Sequence, residues 1–372
     1  MPPHRPRRAL TGRLARTAAV AMAAAAVGAA AVAAVDVATE PAAPAASAAA
    51  QTTPVAATTA TPSGSAQAVD FSSVYARRRA GVVSITAGAG PAAGSGTGVV
   101  IDDEGRILTN EHVVSGASSV SVELADGRVA EGTVVGTDPS TDLAMLQVDV
   151  PAGELEPIPL GDSSQLAVGD PVLAIGDPFG YEGSASAGIV SGLGRTMVAP
   201  NGFSITGAIQ TDAAVNHGNS GGALLNARGE LVGIPAQIAD SGVDANVGVA
   251  FAVPSDTAAE VVAALSEGGE VDHAWLGVST EDAPSGGGAR VTGLAAGGPA
   301  HEGGLRCGDR VVAVGEASVA DSTELQEAVD SRRPGAEVVL RATGEGGGER
   351  AVAVTLGERP ASAGQAAPSC PR

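Results

Sequence analysis

The chain has 372 residues, a formal net charge of −20 and a composition that is 44% hydrophobic but only 2% aromatic. Its length exceeds one ordinary domain, and its cores must be built from Val, Leu, Ile and Ala in β-rich packing. All its basic residues are Arg, five of them within the first sixteen positions. The acidic body repels phosphate backbones and no basic stripe interrupts it, which excludes nucleic acid as a partner.

Residues 1–39 combine that Arg-rich start with an apolar, Ala-dominated run from Thr17 to Val35, the pattern of an export signal or an N-terminal membrane anchor. No Cys follows the run to accept a lipid. Residues 40–69 are rich in Ala, Thr, Pro, Ser and Gln and bury too little to offset the entropy of ordering, so they form a linker. A first folded domain is expected over 70–268. There VVSIT (82–86), TGVVID (97–102), VSVEL (120–124), GTVVGT (132–137), LAMLQVDV (143–150), PVLAIG (171–176), SAGIVSGL (186–193), GELVGI (229–234) and GVAFAV (248–253) are short apolar runs. Gly, Asp, Asn and Pro separate them at roughly ten-residue spacing, the mark of an all-β barrel or sandwich. Ser255 is expected to cap a closing helix with an apolar stripe of Ala259, Val262, Ala263 and Leu265, ended by Gly268-Gly269. A second domain over 269–360 shows strands near 275–279, 289–293, 309–314, 336–342 and 350–356 and a helix over 322–331. Residues 361–372 form an Ala/Pro/Ser tail. The two cysteines, Cys307 and Cys370, leave two readings open: a pair tying this tail to the second domain, or free thiols.

A hydroxyl attacks a peptide carbonyl only if a base takes its proton, a third group fixes that base, and N–H groups receive the oxyanion. GNSGG (218–222) brackets Ser220 with residues that turn tightly and converge the N–H groups of Gly218 and Ser220. Of five histidines, His112 ends a buried-looking strand in ILTNEHVV (107–114), where Thr109 and Val113-Val114 would pack it rigidly. Asp142, heading the apolar run in STDLAMLQV (140–148), is the candidate orienting carboxylate. His, Asp and Ser in that order along an all-β domain are far more specific than any one alone. This chemistry needs no cofactor and no metal. GSGTG (94–98) precedes a strand with no helix after it, which argues against a dinucleotide loop, and DDEG (102–105) reads as a hairpin turn.

The motifs GSGTGVVID (94–102), TNEHVV (109–114), TDLAMLQV (141–148), AIGDPFG (174–180), GIVSGLGR (188–195), QTDAAVNHGNSGGALLN (210–226) and GVAFAVP (248–254) resemble the HtrA (Deg) branch of the chymotrypsin-like serine peptidases. The resemblance implies two six-stranded β-barrels with the active site between them, and a triad of His112, Asp142 and Ser220. It also implies an S1 pocket lined by Val215 and Ile238, small and apolar, with cleavage after Val, Ala, Ile or Leu. His217 stands where relatives often have Pro or Arg and reads as a loop residue. Pro235 stands where the family usually has Asn, on the strand edge where substrate would pair.

The second domain, with WLGV (275–278), GGPAHEGGLRCGDRVVAVGEASV (297–319) and the helix from Ser322, resembles a small α+β PDZ domain. Backbone N–H groups at Leu276, Gly277 and Val278 would cradle a terminal carboxylate while the peptide adds as a strand. The family further implies a homotrimer held by N-terminal aromatic contacts, for which Phe71 and Tyr75 are the candidates. The resulting expectation is an exported, ATP-independent serine endopeptidase acting on unfolded proteins, secreted or held on the outer face of the cytoplasmic membrane. The alternative is a peptide-binding chaperone or adaptor with little proteolysis.

Overall fold

Helix α1 (Phe71–Arg78) begins where the Asp70 carboxylate accepts from Ser73 N–H at 3.2 Å and from the hydroxyls of Ser72 (2.6 Å) and Ser73 (2.5 Å). These bonds favour the ionised form and hold the Asp70 pKa down to about 2. The computed structural model of the chain describes residues 69–88, 94–151, 153–177, 183–238, 248–284, 287–344, 346–360 and 370. The expected leader, the linker up to residue 68 and most of the tail lie outside them. Val74 of α1 is buried, Phe71 and Tyr75 pack against the same core, and Tyr75 donates to the Gly183 carbonyl at 2.7 Å.

Next come β1 (Val82–Ala87), β2 (Gly94–Val100), β3 (Arg106–Thr109), helix α2 (Glu111–Val114), β4 (Val120–Glu123), β5 (Val129–Asp138) and β6 (Leu143–Val148). The six strands close antiparallel in the order β1-β2-β3-β6-β5-β4. A second closed barrel, β10-β11-β12-β9-β8-β7, is made by β7 (Pro171–Gly176), β8 (Ser184–Val198), β9 (Ser204–Thr211), β10 (Ala223–Asn226), β11 (Leu231–Ile238) and β12 (Ala250–Pro254). This is the expected pair of six-stranded barrels.

The apolar runs are nearly continuous because several strands are buried on both faces. Along β6, Ala144, Leu146 and Val148 point into the first barrel, while Leu143 and Met145 point into a seam shared with the second. On β7, Val172 and Ala174 fill the second barrel and Leu173 and Ile175 face the seam. Helix α3 (Ser255–Ser266) covers this seam with Ala258, Val261 and Leu265. Each fully buried Leu, Ile or Met contributes about 1.5–3 kcal/mol, so the seam is a principal source of stability.

Several expectations need correction. His112 does not end a strand: β3 stops at Thr109, and the β-branched pair Val113-Val114 belongs to α2, where one helical turn sinks both side chains into the first barrel, whereas a strand would send them to opposite faces. Ser255 does not cap α3; it is the first helical residue and its hydroxyl donates to the Gly161 carbonyl at 2.8 Å. The buried stripe of α3 therefore runs through Ala258 and Val261, leaving Ala263 exposed. Strands β9 and β10 lie outside the expected runs: Gly207, at φ +73°, interrupts the pattern of β9, and the ALLN run of β10 follows directly on the glycine pair of GNSGG.

The second domain holds β13 (Ala274–Trp275), β14 (Val278–Asp282), β15 (Ala289–Leu294), α4 (Pro299–Glu302), β16 (Arg310–Val314), β17 (Ala317–Ser318), α5 (Ser322–Asp330), β18 (Glu337–Thr343), β19 (Glu349–Thr355) and β20 (Gly357–Glu358). Its sheet runs β14-β15-β16-β18-β19, and its core is built from aliphatic side chains such as Leu276, Val291, Leu305, Val311, Leu325 and Leu340. Of the two readings of the cysteines, the paired one holds: Cys307 and Cys370 form a disulfide, and Cys370 N–H donates to the Thr292 carbonyl at 3.2 Å. The bridge spans 63 residues, a loop whose closure contributes about 4 kcal/mol in the chain-entropy account. The double substitution Cys307→Ser/Cys370→Ser is expected to lower the thermal midpoint in calorimetry, and reductant is expected to lower the wild type to match; an unchanged midpoint contradicts a stabilising role.

Candidate functional site: a His-Asp pair and a glycine-framed serine at the barrel seam

The pairing of Thr109 with Ala144 places the end of β3 beside the start of β6, so the segment leaving β3 runs along the turn entering β6. Asp142 ends that turn at φ +55°, the one non-glycine residue with positive φ among the described residues. Such a conformation costs about 1–2 kcal/mol, and its carbonyl offsets this by accepting from Glu111 N–H (3.0 Å) and Asn110 Nδ2 (2.8 Å). The Asp142 carboxylate is fully buried. Its Oδ1 accepts from His112 N–H at 3.0 Å, and His112 Nδ1 lies 3.0 and 2.8 Å from Oδ1 and Oδ2. An ionised carboxylate only accepts, so Nδ1 carries the proton and Nε2 is left as the basic nitrogen.

Ser220 arrives from the other barrel, in the loop between β9 and β10. Gly221 N–H donates to the Pro235 carbonyl at 3.0 Å and Gly222 N–H to the Asn219 carbonyl at 3.0 Å, folding the loop back on β11. From the first barrel, Thr97 of β2 holds two of the loop's carbonyls: its N–H donates to Ser220 O at 2.9 Å and its hydroxyl to Gly218 O at 2.6 Å. The hydroxyl also accepts from Asp177 N–H at 3.0 Å, and the Thr97 carbonyl accepts from Thr109 Oγ1 at 2.7 Å. The N–H groups of Gly218 and Ser220 have no acceptor among the described residues. Gly218 lies at φ +97°, a region glycine enters without strain. At Gly221, φ is +81° and a Cβ would overlap Thr109 Oγ1 and the Thr97 carbonyl.

Gly96 lets the two halves approach, since a Cβ there would lie 2.7 Å from Val113 and 3.1 Å from Ser220 O. The structure thus joins His112 and Asp142 directly, and it ties the loop of Ser220 to β2 of the first barrel through backbone contacts. No side-chain hydrogen bond links Ser220 to His112 among the described residues, and such contacts commonly tighten only when substrate is bound. Thr97, Gly96 and Asn110 were missed as individual functional residues. Their only sequence signal was membership of glycine-framed or His-bearing motifs.

Val215 is 3% exposed and packs within the second barrel's interior with Val190, Ile209 and Val232. Ile238 ends β11 opposite Ala250, and its side chain and residues 239–247 lie outside what is described. His217 is exposed in the loop before Gly218. In the second domain Leu276, Gly277 and Val278 line a groove of about 440 Å³ whose other wall is Leu325 and Val329 of α5, with Phe203 and Ser204 of the first domain at its rim. Gly277 has φ +79°, and the N–H groups of Leu276 and Gly277 have no acceptor among the described residues.

Two closed antiparallel barrels with a His-Asp pair and a glycine-framed serine at their seam define a chymotrypsin-like serine endopeptidase. Family models agree: residues 96–234 match the trypsin-like peptidase domain and residues 274–354 the PDZ domain. Serine protease PepD of Mycobacterium tuberculosis is 39% identical over 326 residues, covering 82% of this chain and 70% of its own. A probable periplasmic serine endoprotease, DegP-like, of Pseudomonas fulva is 40% identical over 293 residues, and this chain spans 60% of its length. The solved structure of the HtrA-type protease AlgW with decapeptide superposes with a TM-score of 0.67 at 31% identity, covering 78% of this chain and 99% of that one. The chain belongs to the HtrA family of serine proteases.

The two-sided grip of Thr97 gives a direct test of the loop. Thr97→Val keeps the shape but removes the hydroxyl that holds Gly218 O. Loss of one preorganised oxyanion contact typically lowers kcat about 10²–10³-fold; an indirect loss should fall toward the lower figure, with KM little changed, in steady-state hydrolysis of a peptide substrate.

Proposed function

We propose that Ser220 is the nucleophile, His112 the general base and Asp142 the residue that orients it, with the N–H groups of Gly218 and Ser220 as the oxyanion hole. The observation that carries this reading is the His112 ring held on a buried carboxylate next to a loop whose two N–H groups are uncommitted. His112 Nε2 takes the hydroxyl proton as Ser220 Oγ attacks the scissile carbonyl, and the two N–H groups receive the oxyanion. His112 then returns the proton to the leaving amine, giving an acyl-enzyme that water hydrolyses by the same steps in reverse roles.

The Arg-rich, apolar leader together with relatives named as periplasmic proteases supports export. Its fate as cleaved signal or membrane anchor sets whether the enzyme is secreted or held at the outer face of the cytoplasmic membrane. The substrates proposed are unfolded proteins cut after Val, Ala, Ile or Leu, with Val215 and Ile238 shaping the pocket. The groove beside Leu276, Gly277 and Val278 takes C-terminal peptides, its free N–H groups meeting the terminal carboxylate. The domain limits are taken as 70–268 and 269–360. A homotrimer is proposed by family resemblance; Phe71 and Tyr75, partly packed on the chain's own core, offer it only their exposed portions.

A serine-directed phosphonate is expected to form one adduct, at Ser220. Ser220→Ala should reduce casein hydrolysis by at least about 10³-fold, and termini released by the wild type should follow small aliphatic residues. A labelled site elsewhere, or casein cleavage undiminished in Ser220→Ala, overturns the assignment.

A further inference from the structure

The five-residue turn Asp138-Pro139-Ser140-Thr141-Asp142 delivers the residue that orients His112, and it is held from outside the first barrel at two points. Asp138 is 2% exposed, and its carboxylate is fully engaged. Oδ1 accepts from Ser140 N–H at 3.0 Å, while Oδ2 accepts from Thr141 Oγ1 at 2.6 Å and lies 2.8 Å from His273 Nε2. His273 is 135 positions away in sequence. It immediately precedes β13 and is fixed to the second domain by Arg359 N–H, which donates to its carbonyl at 2.9 Å. On the other side Asn201, in the turn between β8 and β9, donates from Nδ2 to the Pro139 carbonyl at 2.8 Å and to Glu111 Oε2 at 3.3 Å. Glu111 is the neighbour of His112.

We propose that His273 is a positioning residue for peptide hydrolysis: by bonding Asp138 it fixes the turn that holds Asp142 in its left-handed conformation, so the second domain supplies part of the active site's support. The inference rests on the triad reading given above. Three features carry it. Asp138 is buried, so its carboxylate must keep every donor or reorganise. Ser140 and Thr141, which it also holds, lead directly into Asp142. Asp142 is the strained residue of the turn, and strained backbone persists only where its surroundings over-determine it. His273 touches neither substrate nor reacting atoms; it acts through Asp138 alone.

Three substitutions at position 273 separate positioning from a general loss of structure. Gln carries its amide nitrogen as many bonds from Cα as imidazole Nε2, whereas Asn places its own at the Nδ1 position and falls short of Asp138. His273→Ala and His273→Asn are expected to lower kcat about 10- to 100-fold with KM within about twofold of wild type, the scale of small misplacements of catalytic groups. His273→Gln is expected to recover most of that loss. The double variant Asp138→Asn/His273→Ala should be no slower than Asp138→Asn alone. Near-UV circular dichroism and thermal midpoints of all variants identify any that fail to fold, and the Gln-against-Asn comparison decides the matter if Ala does not fold. A kcat for His273→Asn equal to wild type, a loss confined to KM, a Gln variant as slow as Asn, or additive losses in the double variant each overturn the proposal. Failure of the triad reading registers separately, as an unlabelled Ser220 in the wild type treated with phosphonate, and that result removes both; a labelled wild type with an unaffected His273→Asn removes this proposal alone.

Discussion

The site depends first on the seam between the barrels. The base and its carboxylate come from one barrel and the nucleophile from the other, so their geometry is only as fixed as the packing of Leu108, Leu143 and Met145 against Leu173, Ile175 and Leu225. These side chains are essentially removed from water, and close packing makes their arrangement discrete instead of adjustable. Polar contacts then set the register locally. Thr97 is the clearest case, because one residue of the first barrel holds Gly218 and Ser220 of the second by their carbonyls and thereby fixes the peptide unit that follows each of them.

The strain at Asp142 follows from the same arrangement. Leaving β5 for β6, the chain must turn so that the Asp142 carboxylate reaches back to His112 while its carbonyl faces Asn110 and Glu111. A left-handed residue costs about 1–2 kcal/mol, whereas neutral hydrogen bonds contribute about 0.5–1.5 kcal/mol each and those to a charged group about 1.5–3. Two bonds to the carbonyl and those from His112 to the carboxylate outweigh the penalty. The conformation is therefore stable only while those partners stay in place, which makes the supports of the turn matter for chemistry.

Much of the barrel architecture was legible because its strands are short, β-branched and punctuated by turn residues, and the His-Asp-Ser order was legible because few residue types can perform each role. What was illegible had physical causes. Val113-Val114 reads as strand from propensity alone, yet the barrel interior takes both side chains from one helical turn. Ser255 looks like a cap, but Gly161 competes for its hydroxyl from 94 residues away. The cysteine pairing needed three-dimensional proximity, since two distant cysteines carry no pattern. Thr97 lies within GSGTGVVID, but nothing local shows that its neighbours in space are Gly218 and Ser220.

The contacts most easily missed are those that cross between domains. Gln326 Nε2 donates to the Ser204 carbonyl at 3.0 Å, and the hydroxyls of Thr196 and Thr323 lie 3.2 Å apart, so α5 of the peptide groove leans on the hairpin formed by β8 and β9. That hairpin's turn carries Asn201, which reaches Pro139 and Glu111. The Gln326 and Thr196–Thr323 bonds are exposed and individually weak, since water competes for each partner. Their importance lies in where they lead: the hairpin and His273 approach the Asp138–Asp142 turn from two directions, and a turn that must hold a strained residue responds to the loss of either.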